Sequence, residues 1–226
     1  MSRLPDNFLW GGAIAANQAE GGYREGGRGL ASMDVVPQGN DRFEYMFGNV
    51  QDLSFREGRH YPALEGNDFY HHYKEDIRLM GEMGFKVFRM SVSWSRIFPN
   101  GDEEEPNEEG LKFYEDVSRE LKKYQIEPLV TICHYDFPLH LVTEYGGFKN
   151  RKLIHFFKKY AEVLFRRYKG LVHYWLTFNE INDTVILPYI AAGVVIDPAE
   201  DRDAQLWRAA HYMLLASAWS LKIGHE

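Results

Sequence analysis

Cysteine is nearly absent: Cys133 stands alone, so no disulfide can form within the chain and a reducing compartment is the fitting environment. Positive charge is also short. Lys and Arg number 26 against 33 Asp and Glu, a formal charge of -7, which leaves no basic excess to grip the phosphates of a nucleic acid. Long apolar runs are missing. The longest, from Val185 to Ile196, is 12 residues and is interrupted by Pro188, too short to cross a membrane. The opening Met1-Ser2-Arg3-Leu4-Pro5-Asp6 passes into Phe8-Leu9-Trp10 without the apolar stretch and small-residue cleavage site of a secretory signal. No linker, low-complexity segment or short repeat divides the 226 residues, so no internal domain boundary is expected over 1–226. Hydrophobic residues, by contrast, make up 45% and aromatics 15%, enough for a sizeable core and too much for disorder. These bounds lead us to expect a soluble, acidic, cytoplasmic protein with no nucleic-acid or membrane partner.

Four short apolar runs alternate with four helical patterns. Phe8 to Ala16, Lys86 to Ser93, Pro128 to His134 and Val172 to Phe178 have the length and, in the last two, the β-branched and aromatic content of buried strands. Between them the apolar period is near 3.6. Phe69, Tyr73, Ile77, Met80 and Gly84 share one face, with Asn67 expected as N-cap and Gly84 as the stop. Leu111, Tyr114, Val117, Leu121 and Tyr124 form a second face after Pro106-Asn107, with Glu108 and Glu109 in the first turn. Leu153, Phe157, Tyr160, Leu164 and Tyr168 form a third, capped by Asn150. The fourth helix, near 204–223, carries Trp207, Ala210, Leu214, Ala218 and Leu221, expected to face the sheet. Four βα units imply an α/β fold with a parallel sheet. Each takes about 56 residues, and eight would need roughly 450, the size of a decorated (β/α)8 TIM barrel, so the chain is expected to be an N-terminal half of one.

In such a barrel the active site lies where the strands end. The first run leads to Asn17-Gln18-Ala19-Glu20. The second holds Arg89, the third ends at His134-Tyr135-Asp136 and the fourth at Asn179-Glu180. Amides, an imidazole, a guanidinium, a carboxyl group and aromatics on one rim suit a neutral polyhydroxylated ligand and a proton transfer.

Five motifs agree on a family. Phe8-Leu9-Trp10-Gly11-Gly12-Ala13, Asn17-Gln18-Ala19-Glu20-Gly21, Phe88-Arg89-Met90-Ser91-Val92-Ser93-Trp94-Ser95-Arg96-Ile97, His134-Tyr135-Asp136-Phe137-Pro138 and Thr177-Phe178-Asn179-Glu180 resemble, in order, the motifs of glycoside hydrolase family 1. Asn179-Glu180-Ile181-Asn182, Tyr135 and Pro138-Leu139-His140-Leu141 are similar to its bacterial 6-phospho-β-glucosidases. The resemblance implies a retaining glycosidase acting on a small β-glycoside, phosphorylated at the 6-position, in carbohydrate metabolism. It implies Glu180 as general acid/base and Asn179 as the contact to the sugar 2-hydroxyl. Gln18 and His134 would hold further hydroxyls, and Arg89 would support the nucleophilic carboxylate. The family's nucleophile, on the seventh strand, and its phosphate-binding loop fall outside these 226 residues, so the chain alone is expected to be inactive. No metal or organic cofactor is implied, because two carboxylates suffice for the chemistry. Unphosphorylated β-glucosidase and 6-phospho-β-galactosidase activities remain alternatives, as does a non-catalytic half-barrel that binds sugar and closes by forming a homo-oligomer.

Single residues carry less. A strand-end histidine such as His134 is more often a hydrogen-bonded structural group, and Arg89 could be an ion-pair member of a barrel interior. Gln18 is the least specific of the set. Gly21-Gly22 and Gly26-Gly27 match no phosphate-loop spacing, His71-His72 lacks ligand partners, and Asp102 to Glu105 reads as a solvated loop. Cys133 is a small core residue.

Overall fold

The computed structural model describes residues 4, 5 and 7–226. Residues 1–3 and 6 of the opening, read above as lacking a secretory signal, thus lie outside the described residues. Four strands, β1 (Gly11–Ala13), β2 (Val87–Ser91), β3 (Glu127–Cys133) and β4 (Tyr174–Phe178), form a sheet in the order of the chain. All three pairings are parallel, with Gly11 opposite Val87, Val87 opposite Glu127 and Leu129 opposite Tyr174. Four long helices, α1 (Phe69–Glu82), α2 (Glu108–Lys123), α3 (Lys152–Arg167) and α4 (Arg202–His225), follow the strands in turn. This is the expected succession of four βα units. β1 is shorter than the apolar run that announced it, and its glycine has a steric cause. A Cβ at Gly11 would stand 1.6 Å from the Val87 carbonyl oxygen, so only glycine lets β1 approach β2.

The amphipathic faces of α1, α2 and α3 pack on the sheet as their periodicity predicts. Leu111, Tyr114, Val117 and Leu121 of α2 and Leu153, Phe157, Tyr160 and Leu164 of α3 are buried, as are Phe69 and Ile77 of α1. The caps differ in detail. Asn107 caps α2, its side chain accepting from the Glu109 N–H. Asn150 Oδ1 accepts from the Lys152 N–H at 3.0 Å, one residue outside α3 proper. Asn67 does not cap α1: Asp68 takes that position in a left-handed conformation, and the Asn67 N–H is drawn instead to the Ala19 carbonyl.

The fourth helix corrects the expectation. α4 buries Gln205, Leu206, Ala209, Met213, Ala216 and Ser220, while Trp207, Leu214 and Leu221 are 65%, 57% and 54% exposed. The predicted stripe faces outward. Polar contacts fix the rotation: Thr177 Oγ1 of β4 meets Ser217 Oγ at 2.7 Å, and the Gln205 amide is held by the backbone of Asp197 and Glu200.

The long connection from β1 to α1 is tied down by buried ion pairs. Arg96, fully buried after β2, donates from Nε to Glu20 Oε1 at 2.5 Å and from its Nη atoms to the carbonyls of Gly21, Gly22 and Glu25. The Tyr114 hydroxyl donates to the other Glu20 oxygen. Arg28 clasps Asp34 with two hydrogen bonds of 2.7 and 3.1 Å. Losing one partner of such a pair strands a buried charge, which costs about 3–5 kcal/mol. This connection is therefore a fixed wall of the rim rather than a loose loop.

Candidate active site

The rim is built from the C-terminal ends of the four strands. After β1 the chain turns into a short helix, Ala16–Ala19, whose first N–H donates to Ser91 Oγ of β2 at 2.8 Å. Its Asn17 amide donates to the carbonyls of His134 and Tyr135 at 3.2 and 3.4 Å, which joins this turn to the end of β3. Gln18 is exposed beside it.

Arg89 organises the floor. From β2 its Nε donates to Thr131 Oγ1 of β3 at 3.0 Å and its Nη2 to Asn179 Oδ1, just past β4, at 2.8 Å. The arginine thus engages the oxygen of the Asn179 amide and leaves its NH2 free to donate to an acceptor. His134 is half-buried, and burial together with the nearby Arg89 charge pulls its pKa down to about 4. The imidazole is therefore neutral at ordinary pH, with one nitrogen to donate and one to accept, and its buried Nδ1 has no partner among the described residues. Neutral hydrogen-bonding groups of this kind fit hydroxyls better than anions.

Glu180 follows Asn179 directly and is exposed on the rim. Its backbone is left-handed, with φ 43° and ψ 55°, and Tyr135 at the end of β3 is left-handed too, with φ 59°. Two of the four non-glycine residues with positive φ among the described residues thus follow adjacent strands at this one place. Such conformations cost about 1–3 kcal/mol each and persist where the surroundings over-determine them, commonly at functional sites.

The structure therefore joins Arg89 and Asn179 by a hydrogen bond, brings the His134 imidazole within reach of the Arg89 charge, sets Glu180 directly after Asn179 and leaves Gln18 beside Asn17, which bonds the His134 carbonyl. Three contributors lie outside the residues expected from sequence: Asn17, Thr131 and Asp183, whose Oδ2 accepts from the Tyr135 hydroxyl at 2.6 Å. Asn17 sat inside a quoted motif, whereas nothing in the order of residues joins Tyr135 to Asp183. Among the described residues no cluster of three or more His, Cys, Asp or Glu side chains is arranged to hold a metal ion, and no helix is long and apolar enough to cross a membrane.

Comparison with known proteins decides the family. The sequence model of glycosyl hydrolase family 1 matches residues 1–226. The chain belongs to that family. This family 1 chain is 54% identical to the 6-phospho-beta-glucosidase AscB of Escherichia coli K12 over all 226 of its residues, which cover 48% of AscB. It is 52% identical to the aryl-phospho-beta-D-glucosidase BglH of Bacillus subtilis, covering 99% of this chain and 46% of BglH. Among solved structures it is similar to a Thermotoga maritima beta-glucosidase in complex with castanospermine, with a TM-score of 0.79 at 32% identity over 100% of this chain and 47% of that one. The chain thus spans about half the length of the curated relatives it matches, and its four βα units are half of a (β/α)8 barrel.

Proposed function

We propose that this chain supplies the acid/base half of a retaining glycosidase that hydrolyses β-glucosides phosphorylated at the 6-position, in cytoplasmic carbohydrate metabolism and without a cofactor. The observation that carries it is the Arg89–Asn179 hydrogen bond of 2.8 Å immediately before Glu180. It turns the asparagine NH2 toward the site as a donor for the sugar 2-hydroxyl, and it fixes the residue from which Glu180 projects. Gln18 and neutral His134 hold hydroxyls further round the ring, and the Arg89 charge supports the attacking carboxylate. Glu180 gives its proton to the leaving oxygen while that second carboxylate, about 5–5.5 Å away, attacks the anomeric carbon. Glu180 then takes a proton from the water that releases the sugar. The phosphorylated substrate is favoured over the free sugar by degree of similarity: relatives named phospho-glucosidases reach 54% and 52% identity, against 32% for the Thermotoga beta-glucosidase.

A chimera in which residues 1–226 replace the matched part of AscB tests the assignment. It should hydrolyse an aryl 6-phospho-β-glucoside, and Glu180→Gln should lower kcat/KM by about 10²–10⁴-fold for a poor leaving group. The same chain joined to the rest of the Thermotoga enzyme should be a poor catalyst for the unphosphorylated glucoside. Undiminished turnover by Glu180→Gln would sink the acid/base role, and a better enzyme with the Thermotoga half would sink the substrate class.

A further inference from the structure

The rim holds one side-chain pair that the chemistry above leaves unused. Tyr135 ends β3, Asp183 lies in the 3-10 turn Ile181–Val185 after Glu180, and the phenol hydroxyl spans 48 residues of sequence to reach the carboxylate at 2.6 Å. Asp183 is also where the backbone of that turn closes. Its N–H donates to the Glu180 carbonyl at 2.9 Å, and its own carbonyl accepts from Ile186 and Leu187 at 2.9 and 2.7 Å. Glu180 therefore sits in its left-handed conformation at the head of a turn whose central residue is held from outside by one hydroxyl. Tyr135 is itself fixed: the Asn17 amide donates to its carbonyl at 3.4 Å, and its ring packs edge-on against His134 with centroids 5.1 Å apart. Burial and the Asp183 and Glu180 charges push the phenol pKa up, so the hydroxyl stays a donor across the working pH range. A short bond from a neutral hydroxyl to a carboxylate is among the stronger ones available to a half-buried pair.

We propose that Tyr135 and Asp183 form a clasp that positions Glu180, tethering the turn after the proton donor to the end of the neighbouring strand. Both are positioning residues: neither carboxylate nor phenol takes part in the proton transfer, and the proposal rests on Glu180 being the acid/base. The neighbouring contacts favour this role. Arg89 braces Asn179, the residue before Glu180, and Thr184, bonded to Met213 Sδ at 3.2 Å, anchors the turn to α4. Among the described residues, only the clasp restrains the turn from the β3 side at Asp183 itself.

Two measurements test it separately from the acid/base assignment. In the 226-residue chain, amide hydrogen exchange at Asp183, Ile186 and Leu187 should quicken by about 10- to 100-fold in Tyr135→Phe and in Asp183→Asn, with the double variant no faster than either single. Amides of β3 should keep their protection, which reports that the fold is intact. Unchanged exchange in both singles, or effects that simply add, would overturn the clasp.

In the AscB chimera, each single variant should lower kcat by about 10- to 100-fold for an alkyl 6-phospho-β-glucoside, with KM within about twofold. A dinitrophenyl leaving group, which needs no proton, should show little loss. A purely structural defect would slow both substrates alike and so reject the positioning role. Glu180→Gln serves as the separate reference. If it is dead while both clasp variants match the parent on the alkyl substrate, the clasp fails and the acid/base assignment stands. If it matches the parent, the assignment itself fails.

Discussion

At the scale of single residues, the end of β3 places two titratable groups side by side whose environments pull in opposite directions. His134 faces the rim. Its pKa falls from 6.5 to about 4 through burial and the Arg89 charge, so the folded state refuses a proton that the unfolded chain accepts. Its contribution to stability is present above about pH 6.5 and is lost as pH falls toward 4. Asp136 points the other way into the core, 1% exposed. Its pKa rises from 3.8 to about 7, chiefly because burial disfavours the charge, with Asp34 and Glu20 adding repulsion against the relief from Arg28. Among the described residues neither Asp136 oxygen has a hydrogen-bond partner, although the Ser93 hydroxyl lies near enough to ease the charge slightly, and Arg28 is already committed to Asp34. The folded state here keeps a proton that the unfolded chain releases, so this contribution is full below about pH 4 and is lost as pH rises through 7. The two slopes oppose one another across the same window. Replacing Asp136 by Asn removes the second alone. The variant should gain stability over the parent as pH rises from 4 to 8, by a few kcal/mol at the upper end, in urea unfolding at pH 4, 6 and 8. A difference that does not change with pH would show that Asp136 is ionised throughout.

At the scale of elements, the helices that were legible in the sequence are those with one polar face. α1, α2 and α3 present a single apolar stripe, and the stripe found by counting is the one that packs. α4 is apolar on both sides, so periodicity alone allowed two answers, and Trp207, Leu214 and Leu221 were the wrong one. What sets its rotation is long-range: Ser217 against Thr177, and Gln205 held by a loop, contacts that no local pattern announces. The site divides in the same way. Arg89, His134, Asn179 and Glu180 could be found because they stand at strand ends within motifs, whereas the Tyr135–Asp183 bond joins residues 48 apart and one of them lies on a short turn. Buried Asp136 was named in a motif, yet its isolation from partners emerges only from packing. The outward stripe of α4 has a measurable consequence. Its three large side chains lie seven residues apart, an exposed seam on a helix whose other face is already buried. The chain should self-associate at micromolar concentration, and the triple variant Trp207→Glu, Leu214→Lys, Leu221→Glu should shift sedimentation toward monomer without loss of helical circular dichroism. Monomeric behaviour of the parent would mean that the seam is too weak to drive association.

At the scale of the whole molecule, the architecture and the chemistry make the same demand. Parallel sheets are normally covered and closed, yet β1 and β4 each have one neighbour among the described residues, and Trp10, Tyr174 and Leu176 at these margins are exposed. Retaining hydrolysis in turn needs two carboxyl groups facing each other across the anomeric carbon. The carboxylate three residues beyond Glu180, Asp183, is committed to the Tyr135 hydroxyl and to the turn that closes on the Glu180 carbonyl, so it does not supply the second carboxyl group. The 226-residue chain on its own should therefore release no sugar from an aryl 6-phospho-β-glucoside above the rate in buffer. Mixed with the separately expressed part of AscB that lies beyond its match, it should acquire both a second carboxylate and a partner for its open strands. Turnover and a higher unfolding temperature should then appear together, at the same mixing ratio. Activity from the chain alone at an enzymic rate would refute the two-carboxylate argument. A rise in unfolding temperature without turnover would instead separate the two demands, showing that the sheet can be closed while Glu180 remains misplaced.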